Sequence, residues 1–337
     1  MTPAKKRLLN TVITLGMLAV LVYYARTVHW AAAWREIRSA SPSVLHLAAL
    51  AGLVTLAAKG FTWWLFLRPS GSPSLGLAMR ATAAGAGLNN LLVANGGDAA
   101  RVVLVTRNSE ASTTSVLAAL ALERLFDLIG YVLLLIGAAF SLPLPHDLER
   151  WRPAAIGVLA AIVLGLVALL ARAPRVHARE TVGRGLVARG LAALEHFIER
   201  LAFMVTVRRV VIALLLTIVN WGAQLISYHL TAVAAHFPIS IGGSVTVLLA
   251  VNVGFFVRAT PGNVGVFQLV YGVTAQALGL NRDSAVAVAL LLQLIQNLPV
   301  TILAIAIAPD LLLHWRERRG TMVSDGTHHR RATDRAT

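Results

Sequence analysis

The chain has 337 residues, of which 57% are hydrophobic and 13% charged, with a mean hydropathy of +0.71. A soluble domain carries roughly a quarter charged residues, so this chain lacks the polar surface that a water-facing fold of its size needs. It contains no cysteine, which excludes a disulfide framework, thiolate chemistry and a Cys-ligated metal. In a membrane protein its net charge of +15 reads as Lys and Arg gathered in cytoplasmic loops, with anionic lipid headgroups as an added partner and no nucleic acid.

MTPAKKR is followed by an apolar run over 8–25 that is longer than a typical signal-peptide core and lacks a small-residue cleavage site. It reads as a retained first span. Residues 26–43, with Trp30 and Trp34 beside three arginines, read as a short amphipathic interfacial helix. A second span is expected over 44–67; Lys59 lies inside it near Trp63 and Trp64, either snorkelling or pairing with a membrane acid. Segment 75–107 is apolar but interrupted at Asn95-Gly96-Gly97-Asp98. Spans follow over 115–140, 153–171, 210–236 and 285–309, and a second interrupted segment, 240–280, breaks at Thr260-Pro261-Gly262-Asn263. The loop 172–209 ends in an amphipathic stretch, GLAALEHFIERLAFM, whose single histidine makes it a surface helix and not a zinc motif. Residues 314–337 read as a basic, disordered cytoplasmic tail, in which His328-His329 is at most a weak metal binder.

With both interrupted segments taken as re-entrant, the cytoplasmic pieces hold 21 Lys and Arg and the outer pieces 5. The positive-inside rule then sets both termini in the cytoplasm of a multi-pass protein of the cytoplasmic membrane. Gly96 and Gly262 are 166 residues apart, and the flanking spans are offset by about 170. Each half, about 44–140 and 210–309, thus reads as span, broken segment, span, the two halves running in opposite directions. The fold expected is all-α: a helical membrane domain over 1–313 with an inverted repeat, about six full spans and two re-entrant broken helices. Paired breaks of this kind point to a transporter's binding site, because backbone that leaves a helix at membrane depth must face protein, water or ligand. Ordinary tight loops between short spans are the alternative; they would give more full crossings and no shared cavity.

The polar residues in these segments form the candidate site. In NNLLVANGGDAAR, Gly96 and Gly97 would allow a turn with positive φ and Asp98 would cap the following half-helix, with Arg101 a turn along. Asn263 would begin the corresponding half-helix in the second break, and two such N-termini favour a phosphate. In the span 115–140, Glu123 and Asp127 share a face, and Arg124 can reach Asp127. Three ionisable residues in one turn must pair or face a wet interior, since each costs roughly 2.5–3.5 kcal/mol at the bilayer centre. Arg258 precedes the second break and would meet a lipid phosphate or an acid of the other half. No Walker-A sequence, complete dinucleotide fingerprint or GxSxG elbow occurs, so neither a catalytic motif nor a cofactor or metal site is expected.

LNNLLVANGGDAARVVLVTR, LERLFDL and RATPGNVGVFQ, in that order and spacing, resemble the lysylphosphatidylglycerol synthase transmembrane family over about residues 8–309. This is a flippase-like membrane domain, found alone or fused to a cytoplasmic synthase. The resemblance implies roles for Asn89, Asn90, Gly97, Asp98, Arg101, Glu123, Arg124, Asp127, Pro261, Gly262 and Gly265. The sequence departs at Gln268, where many members carry a glutamate. The segment after 313 is too short for a synthase domain, so the expectation is a stand-alone flippase moving a lipid with an anionic or phosphate-bearing headgroup. Arg101, Arg124 and Arg258 would meet phosphate while Asp98, Glu123 and Asp127 hold those arginines or a cationic headgroup. Homo-oligomers and envelope-lipid synthesis enzymes are further expected partners. Alternatives are a membrane enzyme of lipid-linked glycosyl transfer, which would need acids at the membrane surface, and a non-transporting accessory protein of envelope-lipid synthesis.

Overall fold

A computed structural model describes residues 23, 26–91, 96–141, 152–172, 197–255 and 260–333. Among these residues every regular element is helical. In chain order the helices are α1 (Trp30–Ser39), α2 (Pro42–Leu67), α3 (Leu75–Leu91), α4 (Gly96–Asn108), α5 (Thr113–Ser141), α6 (Arg152–Arg172), α7 (197–204), α8 (Val207–Ala234), α9 (Ile241–Gly254), α10 (Val266–Ala277) and α11 (Arg282–Thr333). A 3-10 turn, Pro261–Asn263, precedes α10. Polar residues start the helices where the sequence supplies them. Ser74 accepts from the Leu77 amide at 3.1 Å, Ser240 from Gly243 at 3.0 Å and Asn281 from Ser284 at 3.0 Å, each covering an amide that the first turn leaves open.

α2, α8 and the Arg282–Ile307 part of α11 are long and apolar enough to cross a bilayer. Their outward faces carry large exposed apolar residues at helical spacing: Leu47, Leu50 and Val54 on α2, Leu215 and Ile218 on α8, Leu294, Leu298 and Ile302 on α11. A soluble protein does not expose such stripes; lipid tails cover them at no cost. The molecule is a polytopic helical membrane protein. Helix boundaries fall within a few residues of the expected spans at 44–67, 115–140, 153–171 and 210–236, and the amphipathic segment forms as α1. The expected span 8–25 and most of the loop 172–209 lie outside the described residues. The backbone of α11 runs on to Thr333, into the segment read as a basic tail.

α2 and α8 make the most extensive helix–helix contact, and they are antiparallel. The Ser41 amide at the start of α2 donates to the Ala234 carbonyl at the end of α8 at 2.8 Å, and mid-helix Thr55 donates to the Asn220 carbonyl at 3.4 Å. Two cores flank this pair. One gathers Trp63, Phe66, Leu122 and Phe126 of α2 and α5, with Phe66 and Phe126 stacked at 5.3 Å. The other gathers Tyr228, Phe267 and Tyr271 of α8 and α10 with Leu248 of α9 and Leu292 of α11. α3 and α4 pack against each other, Gly97 of α4 against Gly85 of α3, and α9 packs on α10.

Candidate functional site

Gly97 sits where α4 crosses α3. A methyl group there would lie 1.9 Å from the Gly85 carbonyl, and the Gly97 amide donates to Asn89 Oδ1 at 3.0 Å. The expected positive φ is absent: Gly96 and Gly97 are helical, so what Gly97 supplies is a close backbone approach and not a left-handed turn. Asp98 correspondingly lies within the first turn of α4 and does not precede it, where its charge suits the helix N-terminus. In the second break the left-handed residues are Gly262 (φ 59), Asn263 (φ 55) and Gly265 (φ 90), and α10 starts after Gly265, three residues later than Asn263 was expected to begin it. Pro261 opens the 3-10 turn.

The second break packs against the end of α3. The α-carbon of Gly262 faces the Asn90 carbonyl, so closely that a methyl group added there would lie 3.0 Å from it. Asn90 Nδ2 donates to the Asn297 carbonyl at 3.4 Å and Thr301 Oγ1 at 3.3 Å, tying α3 to α11. Around this junction is a cavity of about 320 Å³. Its wall carries two cations, Lys59 and Arg124, and six amide side chains, Asn89, Asn90, Asn263, Gln293, Gln296 and Asn297; no carboxylate is among the described lining residues. Phe255 and Phe267 give it an apolar side. Lys59, Arg124 and Gln296 lie inside α2, α5 and the apolar part of α11, away from the helix ends.

The acids stand behind this wall, each engaged. Arg101 and Glu123 are 4% and 2% exposed and face one another in a fork, Nη1 to Oε1 at 3.1 Å and Nη2 to Oε2 at 2.5 Å. The Arg101 guanidinium lies 4.2 Å over the Trp63 ring. Asp98 is 3.8 Å from Arg101 and takes both of its close contacts from Arg124 Nη2, at 2.9 and 2.7 Å. Arg124 also approaches Asp127 at 3.8 Å, and Lys59 donates to Asp127 at 3.0 Å. The order Glu123–Arg101–Asp98–Arg124–Asp127–Lys59 is therefore an unbroken alternation of sign across α2, α4 and α5. Such pairing is what makes six ionised groups tolerable at membrane depth.

Asn89, Asn90, Arg124, Gly262 and Asn263 thus share one cavity, whereas Arg101, Glu123 and Gln268 are not among its lining residues. Gln268 is a brace: its Oε1 accepts from the Gly265 amide at 2.6 Å and its Nε2 donates to Gln293 Oε1 at 2.6 Å, while Gln293 donates to the Gly262 carbonyl at 2.7 Å. Arg258 lies outside the described residues. Sequence reasoning passed over Gln293, Gln296 and Asn297, although QLIQN in the middle of an apolar span carries three amides at i, i+3 and i+4 on one helix face. No group of three or more His, Asp or Glu among the described residues is arranged to hold a metal.

Residues 8–304 match the family model described as the lysylphosphatidylglycerol synthase TM region. The chain belongs to this family. The family is the flippase-like, non-catalytic membrane module of that synthase, so the chain is a lipid flippase domain whose partners are lipids. No curated protein matches the chain.

Proposed function

We propose that the cavity between the two breaks receives the phosphate-bearing headgroup of an anionic membrane lipid, while its acyl chains stay in the bilayer. The carrying observation is the lining: Lys59 and Arg124 face the space with six amides, and the neighbouring carboxylates are held behind them. Such a wall offers donors and positive potential to an anion and shields it from like charge. The two halves form an inverted repeat whose broken segments are re-entrant. Antiparallel α2 and α8, a separate core on each side and a helical hairpin from each half at the junction support this. Both termini are cytoplasmic, a reading that rests on the Lys and Arg asymmetry of 21 against 5. Rocking of one half against the other would expose the cavity to each leaflet in turn.

The test is transfer of labelled lipids between leaflets in proteoliposomes. Anionic phospholipid should move and zwitterionic phospholipid should move at least about tenfold more slowly, a difference of about 1.4 kcal/mol. Arg124→Gln should abolish the movement, and Arg124→Lys should recover part of it, because an ammonium lacks the planar fork of a guanidinium. Asn297→Leu narrows the cavity without touching an ion pair and should slow transfer as well. Undiminished transfer by both Arg124→Gln and Asn297→Leu would rule out this cavity as the headgroup site.

A further inference from the structure

A second space, of about 560 Å³, lies between the end of α2 and the start of α8. Its rim carries Arg68, Arg208 and Arg209, and its floor Trp64, Ile212 and Leu216. Arg68 stacks on Trp64 at 5.3 Å, and Arg209 donates to the Met204 carbonyl at 2.9 Å. Arg68 and Arg209 are close enough to repel each other, and no carboxylate among the described residues pairs with any of the three. This is the reverse of the central network, where every cation has its acid.

Position decides what neutralises them. Arg68 caps the end of one span, and Arg208 and Arg209 lie in the first turn of another that runs antiparallel to it, so all three stand at one membrane edge. Going inward the groove passes from arginines to an aromatic ring to aliphatic side chains, and beside it α8 exposes Val211, Leu215 and Ile218. That sequence of surfaces matches phosphate, glycerol and acyl chain in a phospholipid. We infer that this groove binds an anionic phospholipid of the leaflet at the Arg68 edge, at a site separate from the central cavity. The inference does not rest on the headgroup assignment made for that cavity. Each arginine should raise the preference for anionic over zwitterionic lipid about fivefold, from roughly 1 kcal/mol per basic residue at a charged surface.

The chain has no cysteine, so Ser72→Cys on the groove rim can carry a single environment-sensitive fluorophore in the full-length protein. Its quenching is measured in nanodiscs containing headgroup-nitroxide phosphatidylglycerol or phosphatidylcholine. Phosphatidylglycerol should quench at a far lower mole fraction, and Arg68→Gln with Arg208→Gln should cut that preference by about 25-fold, leaving the roughly fivefold share of Arg209. If that double variant fails to fold, the labelled protein with all three arginines still decides the matter, because raising salt from about 0.05 to 0.5 M must erase the preference. Equal quenching by the two lipids, a preference undiminished in the double variant, or one insensitive to salt would overturn the inference. Full competition by inorganic phosphate would overturn it too, by assigning the arginines to a free anion. A loss of central-cavity transfer in Arg124→Gln leaves this signal untouched, so the two claims fail separately.

Discussion

Removing Glu123 tests the buried charge network directly. Glu123→Ala leaves Arg101 charged in a site where it is 4% exposed, with Asp98 at 3.8 Å as its nearest remaining acid and the Trp63 ring beneath it. Stripping one partner from a buried pair costs about 3–5 kcal/mol. The residual Asp98 contact and the ring place this case at the lower end, about 3 kcal/mol, roughly a hundredfold in the folding equilibrium. Arg101→Met combined with Glu123→Leu removes both charges, keeps apolar volume and leaves Asp98 its contacts with Arg124 Nη2, so it should stay within about 1 kcal/mol of the parent. Loss of the monodisperse folded peak on heating in detergent, followed by size exclusion, ranks the three proteins. A single variant as heat-resistant as the parent, or a double variant as damaged as the single one, would show that Arg101 and Glu123 are not a desolvated pair.

Gly97→Ala should sharply lower folded yield because its methyl meets the Gly85 carbonyl at 1.9 Å, whereas Gly137→Ala, with no neighbour within 4 Å, should be neutral or gain up to about 1 kcal/mol of helix propensity; heating both variants side by side checks this. For the topology, single cysteines replacing Gly190 and Asp325 should be shielded from a membrane-impermeant thiol reagent in intact cells, and one replacing Asp147 should react; labelling at 190 would reverse the proposed orientation.

Hydropathy made the helices legible, because a span must be apolar for its full length, and it located α2, α5, α6 and α8 closely. Spacing also found the acids and let Arg124 reach Asp127 in its own helix, as it does at 3.8 Å; its closer contacts, at 2.7 and 2.9 Å, go to Asp98 of α4, one of the acids expected to hold the arginines. Intrahelical arithmetic sees neighbours one turn away and is blind to a carboxylate brought in by another helix. Arg101 was expected at the cavity for the same reason: its face could be read, but what that face packs against could not. Lys59 had two fates open, and the answer depended on Asp127, 68 residues away. The role of Gly97 was misjudged because a glycine required for a tight crossing and one required for a left-handed turn look alike in a sequence.

The alternation of sign from Glu123 to Lys59 has an electrical consequence. Three positive and three negative groups sum to zero. A single unbalanced charge carried across the bilayer would feel about 2.3 kcal/mol per 100 mV, but a neutral cluster moving as one body feels almost none. If the two halves rock as proposed, this cluster should add almost no voltage dependence to the return of the empty protein. Any voltage dependence of the full cycle would then come from the cargo or from charges outside the cluster, such as Arg258.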